Sequence, residues 1–150
     1  MRINATFEPL DPNYAARVRE SFARQSFMRT IDARLGEVSP GEVIIELPFR
    51  EDLTQQHGYL HAGILTAIVD TACGFAAMTL MPADGEVLSV EFKINLLAPA
   101  RGERVSARGR VVRAGRTLTV CEGEAIAVTE GREKTVAAML ATMITLRPGG

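Results

Sequence analysis

The segment Gln55-Gln56-His57-Gly58-Tyr59-Leu60-His61-Ala62-Gly63 gathers two histidines, two side-chain amides and three small residues just ahead of an apolar run. If that run is helical, its first backbone N–H groups lack intrahelical partners and, reinforced by the helix dipole, favour negative charge. Ala62 and Gly63 are small enough for a ligand atom to approach those N–H groups closely. An ordinary helix start with small packing residues would read the same way. Asp70 is the one charged residue between Ala62 and Met81. A carboxylate within an apolar helix is costly to bury unless paired. No basic residue stands at positions 66, 67, 73 or 74 to pair with it along the helix. Two readings stand: a structural carboxylate satisfied by a distant arginine or backbone donors, and a general base or nucleophile in a cleft.

A second constellation is Arg113, Gly115, Arg116 and Thr117. Guanidinium groups bind phosphates bidentately and glycine lets the backbone come close, although a basic turn in solvent has the same composition. Metal chemistry finds no support. His57, His61, Cys73 and Cys121 are scattered without ligand spacing, and the two cysteines read as small core residues. There is no phosphate-binding glycine loop of the nucleotide-hydrolase type and no serine nucleophile elbow.

The elements that must position these residues are legible from periodicity. Residues 11 to 28 read as a first helix, with Asp11-Pro12 at its start and Ala15, Val18 and Phe22 on one stripe. Leu35 to Val38 and Val43 to Phe49 read as a hairpin across Ser39-Pro40-Gly41, and a polar loop from 50 to 60 leads to the apolar helix, which ends before Pro82. From 62 to 81 that segment is long enough to consider for a membrane, but Asp70, the glycines and the absence of flanking Lys or Arg oppose this. A helix apolar on nearly every side is equally one wrapped by a sheet. Leu88, Val90, Phe92, Ile94 and Leu96 alternate with polar residues in a strand from 87 to 97, which predicts one buried face carrying the apolar set and the opposite face carrying Ser89. Three more strands follow, 104 to 113, 116 to 129 and 134 to 146, joined by short turns that favour antiparallel neighbours. The class is α+β: one antiparallel sheet around a long central helix, with an additional N-terminal helix.

These blocks carry a resemblance. His61-Ala62-Gly63 with Asp70 nine positions after the histidine, then Ser89 to Ala100, then Arg113-Ala114-Gly115-Arg116-Thr117, resemble the hotdog-fold acyl-CoA thioesterases of the phenylacetic-acid-degradation (PaaI-like) type. That family's pattern is Asn-x-x-Gly-x-x-His-Gly-Gly followed by a helix bearing a catalytic Asp. The resemblance spans roughly residues 30 to 147 of a single domain, 1–150. It implies that Asp70 directs a water at the thioester carbonyl or attacks it, and that the Ala62 N–H, with Gly63 beside it, polarises the carbonyl oxygen. It further implies that Ser89 positions the nucleophile, that His61 shapes the loop, and that Arg113, Gly115, Arg116 and Thr117 grip the nucleotide end of coenzyme A. Two positions depart from the pattern: Gln55 replaces the usual Asn, and Ala62 the first glycine after the histidine. Coenzyme A enters as part of the substrate and no separate cofactor is expected. A homodimer or a dimer of dimers is implied. The competing readings are a hotdog acyl-thioester hydratase or dehydratase, and a non-catalytic acyl-CoA-binding module.

Composition bounds the partners. With 17 basic against 18 acidic residues in 150, the formal net charge is -1. That balance opposes a nucleic-acid backbone or an anionic membrane surface as the main partner. Residues 1 to 9 lack the apolar run of a secretory signal, so the expected location is cytoplasmic.

Overall fold

The computed structural model describes residues 6–149. Helices α1 (Tyr14–Arg24) and α2 (Ser26–Thr30) precede strands β1 (Arg34–Ser39) and β2 (Glu42–Pro48). A single 3-10 turn (Glu51–Leu53) leads to α3 (Ala62–Met78), and β3 (Glu86–Leu96), β4 (Arg104–Ala114), β5 (Leu118–Thr129) and β6 (Arg132–Leu146) complete the chain. All six strands join one sheet in the order β1-β2-β4-β5-β6-β3, with every neighbouring pair antiparallel. The α+β architecture expected from the sequence is the one observed. Among the described residues, no helix is long and apolar enough to cross a membrane.

The N-terminal helix differs from its reading. Instead of one helix over 11–28, the chain breaks at Gln25, which is extended (φ -76°, ψ 95°). The break lets Met28 and Ile31 enter the core, while Val18 is fully buried on α1 and Phe22 meets Phe75 of α3 with ring centroids 6.1 Å apart. Asp11 stands ahead of the helix, which begins at Tyr14. Its carboxylate accepts from Asn13 N (2.9 Å) and from Arg17 Nη1 (2.8 Å), and Arg17 donates onward to the Pro82 carbonyl at 2.9 Å. This clamp fastens the N-terminal segment to the chain just beyond α3.

Two glycines fix how α3 lies on the sheet. Gly109 of β4 and Gly123 of β5 are cross-strand partners. A Cβ on Gly109 would stand 2.3 Å from the Ala72 carbonyl carbon, and one on Gly123 would stand 2.5 Å from Val69 Cγ1. The helix backbone therefore rests directly on bare sheet, which turns Val69, Ala72 and Cys73 inward. Every residue from Ala72 to Met78 is buried. Cys73 and Cys121 are free and buried here; burial pushes the Cys121 thiol up to about 12 and raises Cys73 well above its ordinary value.

The sheet does not wrap the other half of the helix. Thr66, Ala67, Asp70 and Thr71 are half-buried and Gly63 is exposed. The strand on that side, β3, is the sheet edge: among the described residues it pairs with β6 alone, and no other described strand lies along its outer backbone groups.

The apolar pattern of β3 also needs correction. A bulge between Ser89 and Glu91 shifts the alternation by one residue. Ser89 is paired with buried Met143, and Phe92, Ile94 and Leu96 are paired with buried Ala141, Met139 and Ala137, so all four share the concave face with the helix. Leu88, paired with Ile144, lies on the convex side. An edge position leaves even the concave set uncovered: Phe92 is 40% exposed and Leu96 54%.

Candidate active site

The loop before α3 is held by its own backbone. Gln55 N donates to Tyr59 O (2.8 Å) and Gly58 N to Gln55 O (3.0 Å), a tight turn whose positive φ of 82° at Gly58 suits glycine. Leu60 N donates to Ala100 O and His61 N to Leu53 O, each at 2.9 Å, so the end of the loop is tied to both flanking segments. The Gln55 carboxamide oxygen accepts from the backbone N–H groups of His57 and Tyr59. It is therefore a brace inside the loop, and the amide NH2 is the part left for a ligand.

His61 is the N-cap of α3. Its Nδ1 accepts from Gly63 N at 2.8 Å, which requires the neutral ring to carry its proton on Nε2. The Gly63 N–H is thereby taken up by the cap. Among the described residues the Ala62 N–H has no partner within the chain, so it alone of the two is available as a donor. Ala62 and Gln55 both line a cavity of about 440 Å³, whose walls are Tyr59, Leu60 and Leu65 together with Leu96 to Ala100 from the end of β3.

Asp70 is not sealed in the core. It lies on the half-exposed side of α3, where Ser89 Oγ donates to its Oδ1 at 2.6 Å. The bulge that moved Ser89 to the concave face creates this contact. One carboxylate oxygen is thus fixed by a hydroxyl, and none of the described ion pairs involves it. A carboxylate so held can accept a proton from water or present an oxygen as a nucleophile.

The third group is displaced to the opposite end. The β4–β5 connection holds Gly115 and Thr117, with Gly115 N donating to Leu118 O at 2.8 Å. A Cβ on Gly115 would stand 2.4 Å from that carbonyl oxygen, so glycine is needed for the turn itself. Arg113 and Arg116 are exposed. Gly115 and Arg116 line a cavity with Leu80, Met81 and Pro82, beyond the C-terminal end of α3.

The predicted residues therefore fall into three groups strung along one helix. Asp70 and Ser89 are brought together, and so are Gln55, His61, Ala62 and Gly63. Asp70 lies eight residues along the helix from Ala62, a rise of about 12 Å, too far for both to touch one carbonyl group. Sequence reasoning missed Tyr59 and the Leu96–Leu97 pair in the cavity wall; the doubled leucine breaking the alternation was the available sign. Among the described residues, no cluster of His, Cys, Asp and Glu could hold a metal ion.

Comparison with known proteins bears on this arrangement. Residues 57–134 match the thioesterase superfamily model. Human acyl-coenzyme A thioesterase 13 is 31% identical over 108 residues, covering 67% of this chain and 76% of its own length. A crystal structure of a thioesterase family protein from Silicibacter pomeroyi is 50% identical with a TM-score of 0.88, covering 89% of this chain and 98% of its own. The E. coli PaaI protein shares the fold, with a TM-score of 0.80 at 18% identity over 94% of this chain and 97% of its own. Sequence match and fold agree: the chain belongs to the thioesterase superfamily, as a thioester hydrolase of the hotdog fold.

Proposed function

We propose that the protein hydrolyses acyl-CoA thioesters in a site shared between two copies of the chain. The observation that carries this reading is the pair formed by Asp70, oriented by Ser89 on the uncovered side of α3, and the unpartnered Ala62 N–H facing an apolar cavity. The thioester carbonyl oxygen accepts from Ala62 N–H, and Asp70 takes a proton from a water that attacks the carbonyl carbon. The tetrahedral intermediate expels the coenzyme A sulfur as the C–S bond breaks, and the proton held by Asp70 passes to the leaving thiolate. The free acid and coenzyme A are the products. Ser89 positions the carboxylate and Gln55 positions the loop that presents Ala62. Arg113 and Arg116, with Gly115 and Thr117, hold phosphates of the nucleotide. This reading needs no separate cofactor and includes action in the cytoplasm.

The shared site follows from the sheet edge. An unpaired edge strand invites pairing with another chain, and β3 bears Phe92 and Leu96 exposed beside α3. Antiparallel pairing of two β3 strands about a twofold axis near Phe92 and Lys93 sets Ser89 of one copy opposite Leu96 of the other. Asp70 then faces the partner's cavity, whose wall contains both Leu96 and Ala62.

Thiol release from a panel of short, long and aromatic acyl-CoA esters tests the reading. Release that depends on Asp70 supports hydrolysis. Hydration of an enoyl-CoA without thiol release would replace it with the hydratase reading, and binding without turnover would replace it with the binding module.

A further inference from the structure

A second cavity adjoins the one that holds Ala62. Its volume is about 400 Å³, and it lies between the loop end at Tyr59, Pro99 and Arg101 and the start of β6 at Arg132 to Lys134. Tyr59 and Pro99 line both cavities, so the two are neighbours that share a wall. Their character differs. The first cavity is walled by leucines, alanines and Pro99, whereas the second presents Arg101, Arg132 and Lys134 against a single acid, Glu133.

The cations are arranged toward a common space. Arg132 and Lys134 are two apart at the start of an extended strand and therefore project to the same face. Arg101 comes from the opposite wall, its guanidinium carbon 5.6 Å from the Tyr59 ring centroid, a cation–π contact that orients it at the junction of the two cavities. Arg132 also pairs with exposed Glu130 at 3.4 Å, while Arg101 and Lys134 make no ion pair among the described residues. An apolar cavity at the Ala62 N–H, next to a basin in which Arg101 and Lys134 make no ion pair among the described residues, fits a ligand with an apolar middle and an anionic end.

We infer that this basin is an anion subsite for the thioester substrate. It rests on the reading of the protein as an acyl-CoA thioesterase. The anionic group is either a phosphate of coenzyme A or a carboxylate at the far end of the acyl chain. In one chain this basin and the Arg113–Thr117 turn belong to opposite ends of α3, so it is a separate site from that turn.

The experiment compares the wild-type enzyme with the triple variant Arg101→Gln, Arg132→Gln, Lys134→Gln. Substrates are hexanoyl-CoA, adipoyl-CoA and hexanoyl-pantetheine, and binding of free coenzyme A is followed by calorimetry. All three side chains are exposed, so the fold is expected to persist, checked by circular dichroism. A phosphate subsite raises KM for both CoA esters and Kd for free coenzyme A about tenfold or more, leaving the pantetheine ester unchanged. A carboxylate subsite raises KM about tenfold for adipoyl-CoA alone. Values within twofold of wild type for every ligand would overturn the inference. So would an equal loss in Arg19→Gln, Arg24→Gln, Arg34→Gln, which removes the same charge elsewhere. If the wild-type enzyme released thiol from none of the esters, the thioesterase reading would fall, and calorimetry with coenzyme A and adipoyl-CoA would decide the basin independently.

Discussion

At the residue scale, the proposed chemistry rests on how few groups remain unpaired. Asp70 has one oxygen held by Ser89, and Ala62 has an N–H that the His61 cap leaves free. Asp70→Asn keeps the shape and the Ser89 contact but cannot take a proton, so kcat is expected to fall by about 10²–10⁴ with the melting curve unchanged. Retained thiol release in that variant would remove Asp70 from the mechanism. The double variant Arg113→Ala, Arg116→Ala should raise KM for acyl-CoA several-fold with kcat nearly kept, as expected for exposed charges that bind but do not react. An unchanged KM would mean that the turn is only a turn. Asp11 offers a pH signature. The Asn13 N–H bond above all, with the Arg17 guanidinium, holds its carboxyl below the usual carboxylate range against the opposing effect of burial. The folded-state value being depressed, this contribution to stability is complete above the ordinary value near pH 4 and is lost as pH falls through the lower folded value. Urea denaturation should find Asp11→Asn less stable at pH 7, with the gap to wild type closing only below about pH 4. Of these residues, Asp70, Ala62 and Ser89 stood out in the sequence because their types and spacing resemble a known motif, and the roles proposed for them rest on that resemblance and on the contacts above. The loss of Gly63 to the cap was not, because it depends on the rotamer of His61.

At the element scale, the sequence reading succeeded where period and turn chemistry were strong. The Ser39-Pro40-Gly41 hairpin, the long apolar helix and the last three strands lie within a few residues of their expected limits. It failed where tertiary context overrode a local pattern. The alternation from Leu88 to Leu96 looked unbroken, yet the bulge after Ser89 exchanges the sides of Leu88 and Ser89 while Phe92, Ile94 and Leu96 keep the expected face. That one inserted residue is what delivers Ser89 to Asp70. Residues 11–28 read as one amphipathic helix, but burial of Met28 and Ile31 requires the break at Gln25. Gly109 and Gly123 carried no signal by themselves, because nothing local marks the approach of a helix 35 or more residues away. Their role gives a sharp expectation. Gly109→Ala forces the new methyl against the Ala72 carbonyl group, which is backbone and cannot rotate aside, and should cost about 1–3 kcal/mol or more in equilibrium unfolding. A neutral effect would mean that α3 lifts from the sheet without penalty.

At the scale of the whole molecule, the proposed site is incomplete in a single chain. The proposed carboxylate and the proposed oxyanion donor lie about 12 Å apart on the same helix, and β3 beside that helix is an edge of the sheet. The central claim is that two copies complete each other, Asp70 from one and Ala62 N–H from its partner. Ala62 is the first residue of α3, and His61 before it is extended (φ -61°, ψ 138°), the backbone that a following proline requires. Ala62→Pro therefore deletes the donor with little disturbance of the helix, and should lower kcat by about 10²–10³. The decisive measurement mixes this variant with Asp70→Asn, each nearly inactive alone, by joint unfolding and refolding, with heterodimers verified by mass. The account predicts that activity returns, because one of the two sites in each heterodimer then holds both intact groups. No recovery in verified, natively folded heterodimers would contradict it.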